Sequence, residues 1–377
     1  MVAGDPCFDR ILVSAPFRRR YRTALGAGDR RLVFVSSTWS ENSALGARFE
    51  LLRELLAELP RDSYSVATAL HPNISHRHGT GQIKHWYADC LRAGLIVVPE
   101  IDGWRAGVIA ADIVIGDSGS VTGYCAAIGV PTLLAEFPNV PGGTAISELG
   151  RTARQLPPSG PYLPFIESTI AEHAKKHFDG VTELVTSEPE RALSLLRDLF
   201  YDILGIPQPP VEVAVSVVPA PIIPPMPAAF ADTVVARIDR DTHTIHLARY
   251  PSEVSRGPEV NLPEKAIRFL CCSADYPIRA LRQQSAVLAA AASDLEDPQG
   301  WMRETLRHNP FCMAVLTGDE DHGTLLLRTG EYLELCGAPP PILAVAAYAW
   351  LLGDPSRALT HPIHTTIGSS RYDIRPV

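Results

Sequence analysis

The sequence predicts an α/β protein: a parallel sheet with helices on both faces, followed by a smaller α+β domain. Three observations carry this. Apolar runs of strand length alternate with amphipathic runs of helix length across roughly the first 200 residues, the pattern that builds a parallel sheet covered on both sides. Residues 207–227 then hold eight prolines and almost no charge, so no helix ladder can form and the chain runs as an extended, semi-rigid connector. Beyond it, β-branched segments pair across short polar turns. The implied division is residues 1–206, a linker 207–229, and residues 230–377.

Taken in order, residues 31–36 read as a strand, 45–59 as a helix, 64–70 as a strand and 82–93 as a helix. Residues 95–98 supply another short strand, 103–111 a short helix, 113–115 a buried strand, and 131–135 one more strand. Residues 168–204 form an amphipathic region. In the second domain, 233–239 and 242–250 form a hairpin around Arg240-Asp241. Residues 280–295 and 297–308 read as helices, the latter ending before Pro310. A second hairpin joins 313–316 to 324–328, and a hydrophobic helix starts at Ile342. Cys271 and Cys272 sit in a buried strand as core residues.

Composition narrows the function classes. The 377 residues are 46% hydrophobic and 20% charged, ordinary for a globular chain with a sizeable core. A formal net charge of -8 without long Lys/Arg runs argues against nucleic acid, whose phosphates need a basic face. The short cluster Arg18-Arg19-Arg20 reads as a solvated helix start. Seven scattered cysteines without CxxC spacing fit reduced thiols in a cytoplasm better than a disulfide framework or zinc site. No secretory leader pattern opens the chain, and the longest apolar helix is too short to span a bilayer, so a cytoplasmic location is expected.

The candidate site begins at Ala111-Asp112-Ile-Val-Ile-Gly-Asp117-Ser118-Gly119-Ser120. A buried strand opens there through a small polar turn into a helix, the junction at which backbone amides and the helix dipole collect phosphates. A nucleotide-diphosphate ligand is one reading of this turn. A tight connection that needs Gly and Ser only for its geometry is the other, and Asp117 either accepts amide hydrogens within the turn or caps the helix. Trp86 and Trp104, which follow the stretch that holds His76, His78 and His85, are candidates to stack on a base, although Trp86 in a helical pattern also reads as a core anchor. His76, His78 and His85 lie close together in and just after a Gly/His-rich turn that follows Pro72, but their spacing fits no standard metal site, and none is expected. No cofactor is expected either.

The order Ser37-Thr38-Trp39, Leu70-His71-Pro72, the segment 111–120 and Gly129-Val130-Pro131 resembles the carboxyl-terminal half of GT-B glycosyltransferases. The closest look is to the CDP-glycerol glycerophosphotransferase family, with nucleotide-sugar 2-epimerases as relatives. It covers roughly residues 1–205, from Asp5-Pro6-Cys7-Phe8-Asp9 onward. The resemblance implies a Rossmann-like sheet and a CDP- or UDP-linked donor. His71 would touch its phosphates, and Ser118, Gly119 and Ser120 would hold its pyrophosphate. Asp117 would fix the turn, Trp39 would lie in the donor turn, and Trp104 on the loop from Asp102 would stand near the base.

Three departures accompany this likeness. The family's first domain, which holds the acceptor and the base, would precede Met1. Ser40 stands where the pattern has an arginine, and Tyr124 where it has an acid. The expected activity is therefore glycosyl or polyol-phosphate transfer that needs a partner chain or homo-oligomer, with the catalytic residues unassigned. The alternatives are a non-catalytic nucleotide-binding or scaffold protein acting through its second domain, or a piece of a complete transferase. His243, His246, His361 and His364 carry no assigned chemistry. The acidic tip Asp319-Glu320-Asp321 reads as a solvated turn, because a calcium loop needs alternating oxygen ligands and a closing glutamate.

Overall fold

A computed structural model describes residues 2–138, 140–174, 176–225, 227–255, 266–353, 359 and 361–377. The chain divides into two compact units. One comprises 1–55, 65–87 and 95–225, and the other 56–64, 88–94 and 226–377.

The first unit is built on a six-stranded sheet. Its strands are β1 (Arg31–Ser37), β2 (Tyr64–Leu70), β3 (Ile96–Val97), β4 (Ile113–Gly116), β5 (Thr132–Leu134) and β6 (Arg154–Gln155). They lie in the order β3-β2-β1-β4-β5-β6. Parallel registers such as Val33↔Ile113 and Val114↔Thr132 hold them together. β2 and β4 are buried along their whole length, as is β1 after Arg31, because a parallel strand covered on both faces must be apolar on both. This is the Rossmann-like sheet that the alternating pattern implied.

Helices cover it closely. A Cβ on Gly107 would lie 2.4 Å from the Phe34 ring, so only glycine lets the helix Gly103–Ala110 approach β1 there. At the amino ends of the strands, Asp112 accepts from the Leu32 amide (2.7 Å) and ion-pairs with Arg18 (2.7 Å) and Arg22 (2.8 Å). Burial opposes its charge. The Leu32 amide and the two guanidiniums nevertheless hold its carboxyl below the ordinary carboxylate value. Arg18 therefore does more than open a solvated helix. The Pro-rich stretch carries no helix or strand between 207 and 225, and part of it is anchored. Tyr21 donates to the Val218 carbonyl (2.7 Å), and the Val218 amide donates to Ser14 Oγ (2.9 Å).

Local details differ from the sequence pattern. The helix expected over 45–59 is two helices, Ala44–Ala47 and Leu51–Glu58, separated at Arg48, whose φ of -128° and ψ of 65° are not helical. The helix expected over 82–93 likewise splits into Thr80–Trp86 and Ala88–Ala93. The segment after His71, read as a turn, is the helix Pro72–His78, with proline in its first turn where the missing amide does no harm.

The second unit is a closed barrel. Its strands are β7 (Ala231–Asp239), β8 (Thr244–Pro251), β9 (Ile267–Ser273), β10 (Val287–Ala291), β11 (Ala314–Asp319), β12 (His322–Leu327), β13 (Tyr332–Cys336), β14 (Ile363–Ile367) and β15 (Ser370–Pro376). Around the barrel they run β10-β11-β12-β13-β15-β14-β8-β7-β9. The helix Pro340–Gly353 is apolar on every side and buried from 342 to 350. Residues such as Val234, Ile245, Phe269, Val287, Leu316, Leu325, Leu335, Ile363 and Ile374, one from each strand, form a single core with it. A helix without a polar face must be enclosed, and this barrel is its enclosure. Cys271 and Cys272 are buried free thiols in β9, and burial pushes Cys272 up to about 12.

One expectation fails here. Residues 280–295 hold the short helix Arg279–Gln284, then β10 at 287–291 and a single 3-10 turn at Ala292–Asp294. Parallel pairing with β9 and β11 buries this alanine-rich run in the barrel wall, and tertiary context overrides its helical propensity.

Candidate functional site

In a sheet ordered β3-β2-β1-β4-β5-β6, the chain direction of assembly reverses between β1 and β4. The loops that leave the carboxyl ends of these two strands diverge to opposite faces and open a crevice, the usual ligand position in such sheets. The site is built from the loop after β1, the turn after β4 and the end of β2.

Asp117 joins the first two. It is fully buried, and its Oδ2 accepts from the Thr38 amide (2.8 Å), the Thr38 hydroxyl (2.9 Å) and the Ala44 amide (2.9 Å). Its Oδ1 accepts from the Gly119 amide at 3.0 Å. One carboxylate thus sets the shape of both loops, and its oxygens are spent on protein donors. Ser37 Oγ adds a bond from the Leu45 amide (3.0 Å). Gly119 is buried, and a Cβ there would stand 2.8 Å from the Thr38 methyl, so glycine lets the loops meet.

The turn delivers the chain into the helix Ser120–Ala127, whose amino end has no side-chain cap. Its first-turn amides face the crevice mouth with the positive end of the helix dipole behind them. Ser118 is half-buried and Ser120 exposed beside that end. His71 follows β2, about 10 Å from β4 across β1 at two strand spacings. Its Nδ1 accepts from the Asn73 amide at 3.1 Å and caps the helix Pro72–His78. An accepting Nδ1 leaves the proton of the neutral ring on Nε2, a donor free to point at an anion.

The aromatic candidates separate. Trp39 is 50% exposed on the loop after β1. Trp104 lies in the first turn of Gly103–Ala110, stacked on Tyr124 at 5.7 Å with the Arg105 guanidinium 4.5 Å from its ring centroid. Tyr124 in turn stacks on Phe8. Its hydroxyl donates to Asp5 Oδ2 at 2.6 Å, and burial together with Asp5 raises its pKa far above the ordinary tyrosine value. Trp104 and Tyr124 are thus members of a packed column. Trp86 packs edge-on against Phe49 and His78.

Two contributors escaped the sequence reading. Thr38 is the hinge of the loop arrangement, and only its position in Ser37-Thr38-Trp39 hinted at it. Glu100, past the end of β3, accepts from Ser75 Oγ at 2.8 Å, placing a carboxylate on the carboxyl edge of the sheet next to the His71 helix. Its signal was the strand-terminal Val98-Pro99-Glu100. Among the described residues, no group of three or more His, Cys, Asp and Glu side chains is placed to hold a metal ion. No helix among them is long and apolar enough to cross a membrane.

The first unit is thus a Rossmann-like α/β domain with its candidate site at the switch point of the sheet. Among solved structures, the chain is similar to the wall teichoic acid polymerase TagF, with 17% identity over 54% of this chain and 52% of that one and a TM-score of 0.37. It is also similar to the "putative UDP-N-acetylglucosamine 2-epimerase" of Listeria monocytogenes, at 16% identity, covering 56% of each chain with a TM-score of 0.33. A third is the UDP-GlcNAc 2-epimerase of Neisseria meningitidis bound to UDP-GlcNAc, at 15% identity over 54% of each chain and a TM-score of 0.33. The chain spans about half the length of these proteins. No protein-family model matches it, and no curated protein does.

Proposed function

We propose that the first unit binds a nucleotide-diphosphate-linked donor, CDP- or UDP-linked, in the crevice at the carboxyl ends of β1, β2 and β4. The observation that carries this reading is the Asp117 stitch. It holds a buried Gly119 turn against Thr38 and leaves the amino end of Ser120–Ala127 uncapped by any side chain. A diphosphate would accept from those amides and from Ser118 and Ser120, and His71 Nε2–H would donate from across β1. Trp39 is the exposed aromatic available to a base or sugar.

The chemistry such a site supports is departure of the nucleotide in glycosyl or polyol-phosphate transfer, because fixed donors aimed at the diphosphate stabilise the leaving charge. Attack also requires an oriented acceptor and a base within hydrogen-bond reach. In this reading a partner chain, a second copy of the chain or a further segment supplies them. A non-catalytic nucleotide-binding role is the second reading. It is favoured by the Tyr124 hydroxyl bound to Asp5 and by Trp104 committed to packing.

Calorimetric and thermal-shift titration with CDP, UDP and GDP tests the proposal. Saturable binding of one nucleotide, lost in His71→Ala, supports the donor site. Absence of binding by all three overturns it.

A further inference from the structure

The second unit contains a cavity of about 570 Å³ that the acidic hairpin tip conceals in the sequence. It lies at the carboxyl ends of β9, β10 and β11, which are parallel neighbours. The helices Arg279–Gln284 and Pro298–His308 connect them in turn, so the barrel wall holds an embedded βαβαβ segment. Hollows at this end of parallel strands are where α/β proteins hold small molecules, and the volume falls within the usual range of roughly 300–1,000 Å³.

The lining chemistry selects the ligand. Small residues, Ala289, Ala291 and Gly318 among them, leave the hollow open, and Pro340 and Pro341 of the enclosed helix border it. Asp275, Asp294, Asp319 and Glu320 also line it. Asp319 is positioned by Ser293, whose amide and hydroxyl both donate to it (3.1 and 3.0 Å). Among the described residues, no lysine, arginine or histidine lines the cavity. The helix start does not reverse this balance, despite its dipole. Pro340 and Pro341 have no amide hydrogen, and the next two amides, of Ile342 and Leu343, both donate to the Pro339 carbonyl (2.8 and 3.0 Å). An anion entering here would meet four carboxylates and no free amide from the first turn of that helix.

We propose that this cavity binds a small amphiphilic organic cation, an amine whose apolar body fills the alanine-lined hollow while its ammonium group sits among Asp275, Asp294, Asp319 and Glu320. The site is independent of the nucleotide reading and uses none of its residues.

The test uses the full chain and three probes of one shape: n-hexylammonium, n-hexanol and hexanoate, titrated by calorimetry and ligand-observed NMR. Hexylammonium binds saturably, hexanoate at least tenfold more weakly, and raising NaCl from 20 to 500 mM weakens the amine, since screening acts on partly exposed charges. The double variant Asp275→Asn, Glu320→Gln weakens it roughly three- to tenfold at about 0.3–0.7 kcal/mol per exposed carboxylate. Ala291→Leu, which fills the hollow from the end of β10, abolishes binding. If that variant misfolds, the exposed double variant decides alone. No saturable amine binding, hexanoate binding as tight as the amine, or an amine affinity unchanged in the double variant overturns the proposal.

Discussion

Replacing Asp117 with alanine is the most direct test of the candidate site, because one carboxylate holds two loops through four donors. The Thr38, Ala44 and Gly119 amides and the Thr38 hydroxyl lose their acceptor together. Charge-assisted hydrogen bonds contribute about 1.5–3 kcal/mol each, and a buried donor left unpaired costs about 1–3 kcal/mol. The loops lie at the carboxyl ends of the two central strands, where water reaches some of these groups once they relax. The sum is therefore smaller than four separate penalties, and we expect about 3–5 kcal/mol. Asp117→Asn should cost about 1–3 kcal/mol, because its oxygen serves one side of the site while its NH2 confronts a donor on the other. Two units in one chain make a single unfolding midpoint ambiguous, so the assay is amide hydrogen exchange read at Thr38, Ala44 and Gly119 beside urea denaturation. Alanine should release all three amides and abolish nucleotide binding. A destabilisation below about 0.5 kcal/mol with the three protections intact would refute the stitched-loop account.

Three further outcomes are expected. Asp112→Asn should remove about 1–3 kcal/mol of stability near neutral pH, because the Leu32 amide, Arg18 and Arg22 lose a shared carboxylate while Arg22 keeps its carbonyl acceptors. Because the folded carboxyl titrates below its unfolded value near 3.9, its contribution is complete above that value and vanishes as pH falls through the folded pKa. The gap between wild type and variant in urea midpoint should therefore close on acidification, and a constant gap contradicts the assignment. Leu343→Ala, in the enclosed helix, should cost about 3–5 kcal/mol as a fully buried truncation, measured by urea denaturation, and a loss under 1 kcal/mol would mean the helix is not the barrel core. Gly107→Ala should destabilise by about 1–3 kcal/mol through the clash with Phe34, and Phe34→Leu in the same chain should recover part of that loss.

How much was readable from sequence depended on the range over which the information acts. β1, β2 and β4 were plain, since runs such as 32–35 and 113–115 are apolar on both faces and short enough to be strands. Their order was not, because the pairing Val33↔Ile113 joins residues far apart and leaves no local trace. The alanine-rich run of β10 misled for the opposite reason. Its local propensity is helical, and only the neighbours β9 and β11 make it a strand. Barrel closure rests on the parallel register Thr244↔His364, equally invisible. The helix starting near Ile342 was recognised, and its uniform apolarity already required an enclosure. At the candidate site, His71 and 117–120 stand out in the sequence only as residue types in a pattern. The role of Asp117 emerges only from Thr38, 79 residues away.

The closed barrel also has a timetable. β14 and β15 stand between β8 and β13 in the wall, yet they are the last of its strands to be synthesised. A ribosome adding about 5–20 residues per second needs on the order of 7–30 s to pass from β7 to β15. For the last part of that interval the apolar helix Pro340–Gly353 exists without two of the nine staves that enclose it, β14 and β15. The second unit is therefore completed only when residues 363–376 arrive, and until then its most hydrophobic segment is a natural client for whatever shelters nascent chains in the cell.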